Sequence, residues 1–263
     1  MGVNAQIEVP AFTAGQVLTA AEMTQINTGI PVFATTTTRD NSFGGSGEKV
    51  LAEGQFAYIE ATDTTQYYNG SAWVSVGTTP GLVPVTPTSV AVGSGSATTS
   101  ANGQVTFTGA SSISLNGVFS ATYDNYRIIL SPDAASTTFN ITARLRISGT
   151  DVTTAASYQQ ENIQASDSSV VGAGDLSQTL WYIIDNYNTT YPFYAAAAME
   201  LQRPFITKKK TMLCDAVFVS SAGNFRKRQS GHTQESTSAC DGFSIICASG
   251  NMGGTISVYG YTK

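Results

Sequence analysis

The sequence predicts a mainly β protein: a short N-terminal helix and small β-meander, followed by an antiparallel, jelly-roll-like β-sandwich. Three observations carry that expectation. From Gly103 onward, short runs rich in β-branched and aromatic residues recur at sandwich spacing, with turn residues between them. Phe139–Ile147 alternates apolar odd positions with polar even ones, the pattern of a strand with one buried face. The chain closes on two such runs, Phe243–Ala248 and Thr255–Tyr261. The glycines of Gly250-Asn-Met-Gly-Gly254 between them tolerate the positive φ of a hairpin turn. A chain ending on so apolar a strand is expected to end inside its own sheet, where the backbone donors and acceptors find partners.

In chain order, residues 1–18 read as an extended arm. Thr19 is an N-cap with Glu22 three residues on, a capping box that opens a short helix ended by Gly29 and Pro31. Thr35–Thr38 and Ser42–Gly47 read as loop. A meander follows: Gln55–Glu60, then Gln66–Tyr68, a turn at Asn69-Gly70, and a return over Ser71–Val76. Phe56, Tyr58, Tyr68 and Trp73 are its candidate core, too small to stand alone. Residues 1–78 form the N-terminal segment. Residues 79–102 are rich in Thr, Ser, Gly and Pro, lack aromatics, and read as a linker. Residues 103–263 are the sandwich, with strands at Val105–Thr108, Ile113–Phe119, Tyr126–Leu130, Phe139–Ile147, Ser157–Ile163, Thr179–Ile184, Phe193–Leu201, Thr211–Val219 and the final pair. In the cleanest strand Arg144 and Arg146 are expected to face outward.

Composition narrows the class. With 41% hydrophobic and 10% aromatic residues the chain of 263 can build a core, so global disorder is excluded. Only 12% of residues are charged, about half the usual share. Asp63 and Asp124 bracket a stretch with no charge at all. An uncharged surface suits subunits pressed together, because burying a charge costs several kcal/mol unless it is paired. Residues 1–78 hold two basic and seven acidic residues, and residues 79–263 hold eleven of each. Neither part is basic enough for general nucleic-acid binding. No apolar run approaches 18 residues and no signal peptide opens the chain, so membrane insertion and secretion are not expected. Cys214, Cys240 and Cys247 lack metal-site spacing and read as free, buried thiols.

Two stretches, SGNMGGTISVYGY at the C-terminal end and GVFSATYDNYRIIL at Gly117–Leu130, resemble the C-terminal β-domain of tailed-bacteriophage structural proteins of tail-fibre or head-fibre type. FTAGQVLTAAEMTQINTGIPVF and GQFAYIEATDTTQYYNGSAWVSVG are similar to the first segments of the same proteins. The resemblance covers both ends and about a third of the chain. It implies a virion location on tail or capsid, assembly in the host bacterial cytoplasm, a homotrimer, and a role in host-surface glycan recognition. It also implies that the N-terminal segment attaches to other virion proteins.

A search for chemistry finds no catalytic constellation. The single histidine, His232, sits in a polar stretch read as an exposed loop, with no Gly-x-Ser-x-Gly elbow in the chain. Calcium-loop spacing and phosphate-binding glycine loops are absent, so no enzyme, cofactor or metal is expected. One stretch does suit a ligand: Trp181–Tyr194, where aromatic rings alternate with amides and a carboxylate. Flat rings match the C–H faces of sugars, and Asp185, Asn186 and Asn188 match their hydroxyls. Trp181 and Phe193 read as core. The candidate ligand-binding residues are Asp185, Asn186, Tyr187, Asn188, Tyr191 and Tyr194. Two basic clusters, Lys208–Lys210 and Arg226–Arg228, read as solvated hairpin ends.

The expected function is therefore a non-enzymatic phage tail-fibre or tail-tip protein that binds host glycan as a trimer. A head fibre or capsid decoration protein, and a glycan depolymerase, are the alternatives.

Overall fold

The structure is a computed structural model that describes residues 14–19, 29–45, 48–77, 81–166, 169–187, 190 and 195–263. The capping-box helix predicted after Thr19 lies outside the described residues. Two compact units divide the chain, Met1–Thr79 and Pro80–Lys263.

The first unit is a four-stranded sheet in the order β1 (Val32–Phe33), β2 (Phe56–Ile59), β3 (Thr64–Tyr68), β4 (Trp73–Ser75). Strands β2 to β4 are the predicted meander. Strand β1 joins it in parallel, setting Phe33 beside Ile59. That pairing decides which face is buried. Phe33, Ala57 and Ile59 form the core with Phe43 and Trp73 against them, while Phe56 is left 43% exposed. The expected core on Phe56 and Tyr58 had the opposite parity. Helix α1 (Thr36–Asp40) replaces an expected loop, and Thr35 caps it by accepting the Thr38 N–H. The Arg39 guanidinium lies 4.6 Å over the Trp73 ring and donates to Gln66 and Asp40, which satisfies a nearly buried charge. At the β3–β4 turn the Asn69 side chain accepts from the N–H groups of Ser71 and Ala72.

The second unit is an antiparallel β-sandwich. Its larger sheet runs β14 (Ser169–Gln178), β13 (Tyr158–Ser166), β18 (Phe225–Gln234), β17 (Lys210–Val219), β16 (Ala195–Gln202), β10 (Asn125–Ala135), β20 (Met252–Tyr261), β8 (Val105–Ala110), β7 (Ser96–Thr99). Strand β5 (Leu82–Pro84) pairs the far end of β20. The smaller sheet runs β12 (Thr150–Asp151), β11 (Phe139–Ile147), β19 (Gly242–Cys247), β9 (Ser112–Asn116), β6 (Ser89–Val92), with β15 (Trp181–Tyr187) on the other end of β11. The core lies between the sheets, and Phe119 joins them by packing on Tyr126 of β10 and Phe243 of β19.

Residues expected as a linker are strands of this unit. Leu82–Pro84, Ser89–Val92 and Ser96–Thr99 pair with β20, β9 and β8. Thr, Val and Ser are good strand residues, and prolines sit where an edge needs no further donor. The uncharged stretch is therefore largely sheet.

The final two strands are not a hairpin pair. Strand β19 belongs to the smaller sheet and β20 to the larger, so the glycine-rich connection carries the chain from one layer to the other. Strand β20 lies inside the sheet, between β10 and β8, as a buried last strand requires. Gly254 serves a bulge: its φ is +148°, and a Cβ there would stand 2.4 Å from the Ser131 carbonyl oxygen.

Arg146 faces the outer side of the smaller sheet yet is drawn into a network, donating to Asp151, Asn116, Ser114 and Ser244. Across the core, the Tyr158 hydroxyl accepts the Leu145 N–H and donates to the Val152 carbonyl, both at 3.0 Å. Tyr158→Phe strands that amide and carbonyl at almost no change in volume. Its expected cost is about 1–2 kcal/mol in urea denaturation, and a change below a few tenths would show these bonds to be replaceable.

All three cysteines are free and buried. Burial holds every thiol well above its ordinary range, with Cys240 pushed up to about 11, so thiolate chemistry has no foothold at neutral pH.

Candidate functional site

The larger sheet is wider than its cover, and the excess creates a cleft. Strand β15 lies across β13 and β18. Trp181 packs on the rings of Tyr158 and His232 and donates its indole N–H to the Thr233 carbonyl at 2.9 Å. Beyond that cover β14 is exposed on both faces. The inner face of β13 changes character at the same place, from Tyr158 to Gln160, Asn162 and Gln164. Register sets these beside His232, Ser230 and Arg228 of β18 on one side and Asp175, Ala173 and Val171 of β14 on the other.

The cleft so formed has a volume of about 350 Å³. Gln160 and Arg228 are buried in its floor, 3% and 2% exposed. The Gln160 amide is fixed from both ends, donating to Asp175 at 3.2 Å and accepting the Tyr182 N–H at 2.9 Å. Arg228 donates to the Asp185 carboxylate at 2.6 Å. Asn162 donates to the Ala173 carbonyl, and Tyr182 and Asn140 line the side beneath β15 and β11. Among the described residues Nε of Arg228 and Oε1 of Gln164 are buried without a hydrogen-bond partner. Unpaired polar atoms in a floor otherwise held this firmly are costly to fold and suit a polar ligand.

The predicted site residues are divided by this geometry. Asp185 faces the cleft and is tied to Arg228. Asn186 is exposed at φ +53°, its N–H bonded to the Asn140 side chain. Tyr187 is fully buried, edge-on to Phe139, and belongs to the core. Asn188, Tyr191 and Tyr194 lie outside the described residues, as does Phe193. Strand β15 runs three residues past the end expected at Ile184, and Tyr187, at the parity of Trp181 and Ile183, faces the core with them. Gln160, Asn162, Gln164, Asp175 and Arg228 were missed. Their signal was a β13 sequence polar on both faces, which a strand packed under a full cover does not show.

The basic clusters also change meaning. Arg226–Arg228 do open β18 beside its hairpin turn from β17, but Arg228 is buried rather than solvated. Lys210 is buried too, donating to the carbonyls of Ser236 and Ser238. Lys209 pairs with Glu235, and Lys227 with Asp215.

His232 is a buried strand residue, not an exposed loop residue. Its Nε2 lies 2.7 Å from the Ser230 hydroxyl. Burial, helped by the nearby Arg228 charge, pushes its pKa down to about 3, so the ring is neutral at pH 7. The unfolded chain takes up a proton near pH 6.5 that the folded chain refuses. The stability this gives is complete above pH 6.5 and is lost as pH falls toward 3, by at most about 1.4 kcal/mol per unit. His232→Gln should flatten that slope in urea titrations at pH 7, 5.5 and 4, and an unchanged slope would place the acid sensitivity elsewhere.

A larger concavity, about 960 Å³, lies on the outer face of the same sheet. Gly172, Gly174, Gly231 and Ala198 floor it, and Ile163 and Leu213 stand exposed along it. Its charges are largely neutralised by the Arg127–Glu200 and Lys227–Asp215 pairs. No charged side chain lining it is buried, so it is an open apolar surface rather than a built polar site.

Among the described residues no cluster of three or more His, Cys, Asp or Glu could hold a metal, and no helix is long and apolar enough to cross a membrane. The fold and cleft define a β-sandwich module with a small, preorganised polar site. Comparison with models of known protein families, with curated proteins and with solved structures finds no match to this chain.

Proposed function

We propose that the chain is a non-enzymatic structural protein of a tailed-bacteriophage virion, of tail-fibre or tail-tip type. In this reading the sandwich unit binds a host-surface glycan, and the acidic N-terminal unit attaches to another virion protein. The observation that carries the ligand is the cleft beside β15, where amides and carboxylates are fixed around an arginine. Hydroxyl-rich ligands match such a lining, because each hydroxyl both donates and accepts. The sequence resemblance at both ends of the chain supports the virion location.

A homotrimer fits the surface of the larger sheet. Ile163, Val170, Leu213 and Phe225 are each at least 59% exposed on its outer face, and apolar patches of this kind mark subunit contacts. Sedimentation of the purified chain at three times its chain mass supports this arrangement, and a monomer at micromolar concentration argues against it.

The test of location is a cryo-EM map of the particle that carries the chain. Density at the tail in threes supports the proposal. Density on the capsid lattice replaces it with the head-fibre or decoration reading. Release of reducing sugar from host polysaccharide by the purified protein would overturn the non-enzymatic assignment in favour of a depolymerase.

A further inference from the structure

Resting on the glycan reading, we infer that the cleft beside β15 selects an uncharged pyranose presenting vicinal hydroxyls and rejects acidic sugars. Charge gives the first reason. The cleft is lined by two carboxylates, Asp175 and Asp185, against one guanidinium, and that guanidinium already donates to Asp185 at 2.6 Å. A uronic or sialic carboxylate entering here lies within a few ångströms of two like charges, and the guanidinium that lines the cleft is already engaged with one of them. Like charges this close in a half-buried site oppose binding.

The arrangement of the donors and acceptors gives the second. Asp175 accepts from Gln160, and Asp185 from Arg228, so each carboxylate is held in place by a buried neighbour. Carboxylates so oriented are strong acceptors for sugar hydroxyls. The side-chain amides of Asn162 and Gln164 line the cleft as well, and an amide carries both donor and acceptor. A vicinal diol presents donor and acceptor side by side, the complement of that set.

Shape gives the third. Val171 and Ala173 of β14 and Tyr182 of β15 are the apolar part of the lining, suited to the C–H face of a ring. A volume of about 350 Å³ lies near the lower end of ordinary ligand sites, room for roughly one or two rings.

The experiment uses the full-length chain and two sets of probes, methyl glycosides of neutral hexoses and of 6-deoxyhexoses, and the corresponding uronic acids with N-acetylneuraminic acid. Binding is read by saturation-transfer NMR and by titration. At least one neutral glycoside is expected to bind, with the acidic probes at least tenfold weaker. Asn162→Ala and Gln164→Ala, both partly exposed, are expected to weaken the neutral ligand about tenfold with the folded state intact by melting and circular dichroism. Asp175→Asn is expected to narrow the gap between neutral and acidic probes, an effect that simple loss of a contact does not produce.

Preference for an acidic probe overturns the inference, as does neutral binding unchanged in all three variants. Binding of no sugar by a folded chain that still labels host cells also overturns it, while leaving the adhesion reading in place. Neutral-sugar binding by a chain found on the capsid upholds the cleft chemistry and removes only the tail location.

Discussion

Trp181→Ala is expected to destabilise the sandwich unit by about 4 kcal/mol, the largest single loss among the substitutions considered. Trp181 is 1% exposed, and its ring stands edge-on to both Tyr158 and His232. Truncation removes the apolar area of the largest side chain, leaves a cavity between the sheets, and strands the Thr233 carbonyl that accepts its N–H. For a unit of this size each kcal/mol shifts Tm by about 2–4 °C, so a fall on the order of 10 °C should be seen by calorimetry. Trp181→Phe should recover the packing but not the hydrogen bond, and so fall between. A loss under about 1 kcal/mol in Trp181→Ala would mean that β15 is not held against β13 and β18 as described.

The second large effect comes from the Asp185–Arg228 pair, and it is asymmetric. Arg228 is 2% exposed, whereas the Asp185 side chain keeps 29% of its surface in water. Asp185→Ala leaves a guanidinium buried without its counter-charge, at an expected cost of about 3 kcal/mol. Arg228→Met leaves a carboxylate that water can reach, so the smaller loss is expected there. The double variant Asp185→Ala with Arg228→Met should recover much of the cost, since a buried ion pair replaced by apolar groups is often neutral. Urea denaturation of the four proteins gives the coupling. Additive single effects would sink the claim that these groups act as a pair.

The sheet-forming residues were legible because local pattern is enough to specify a strand. Phe139–Ile147 reads as β11 from its alternation alone, and the final strand β20 from its apolar run. Strands β14 and β18 escaped for the converse reason. SVVGAGDLSQ holds two glycines and no aromatic residue, and FRKRQSGHTQ is polar on both faces. Each is the return strand of a hairpin, β14 closing on β13 at Ser166 and Ser169 and β18 closing on β17 at Val219 and Phe225. Neither carries the apolar alternation that marks a strand locally; the β13–β18 pairing, 60 or more residues apart, fixes both in the sheet.

The candidate site was half legible. Asp185 was singled out because a carboxylate among aromatics suits a sugar, and it does line the cleft. Tyr187 was misplaced because β15 runs past its expected end at Ile184 and carries that ring into the core, and Arg228 because a basic triplet ordinarily means a solvated surface. The sequence by itself determined the β class, the buried thiols and the polar character of β13, since these follow from composition and short-range alternation. Tertiary structure alone decided that β19 and β20 separate into two sheets and that the larger sheet outruns its cover. It also decided that Gln160, Asp175, Asp185 and Arg228 meet there. Those facts depend on which strand edges pair between segments well separated in the chain, and on how far one layer extends past the other.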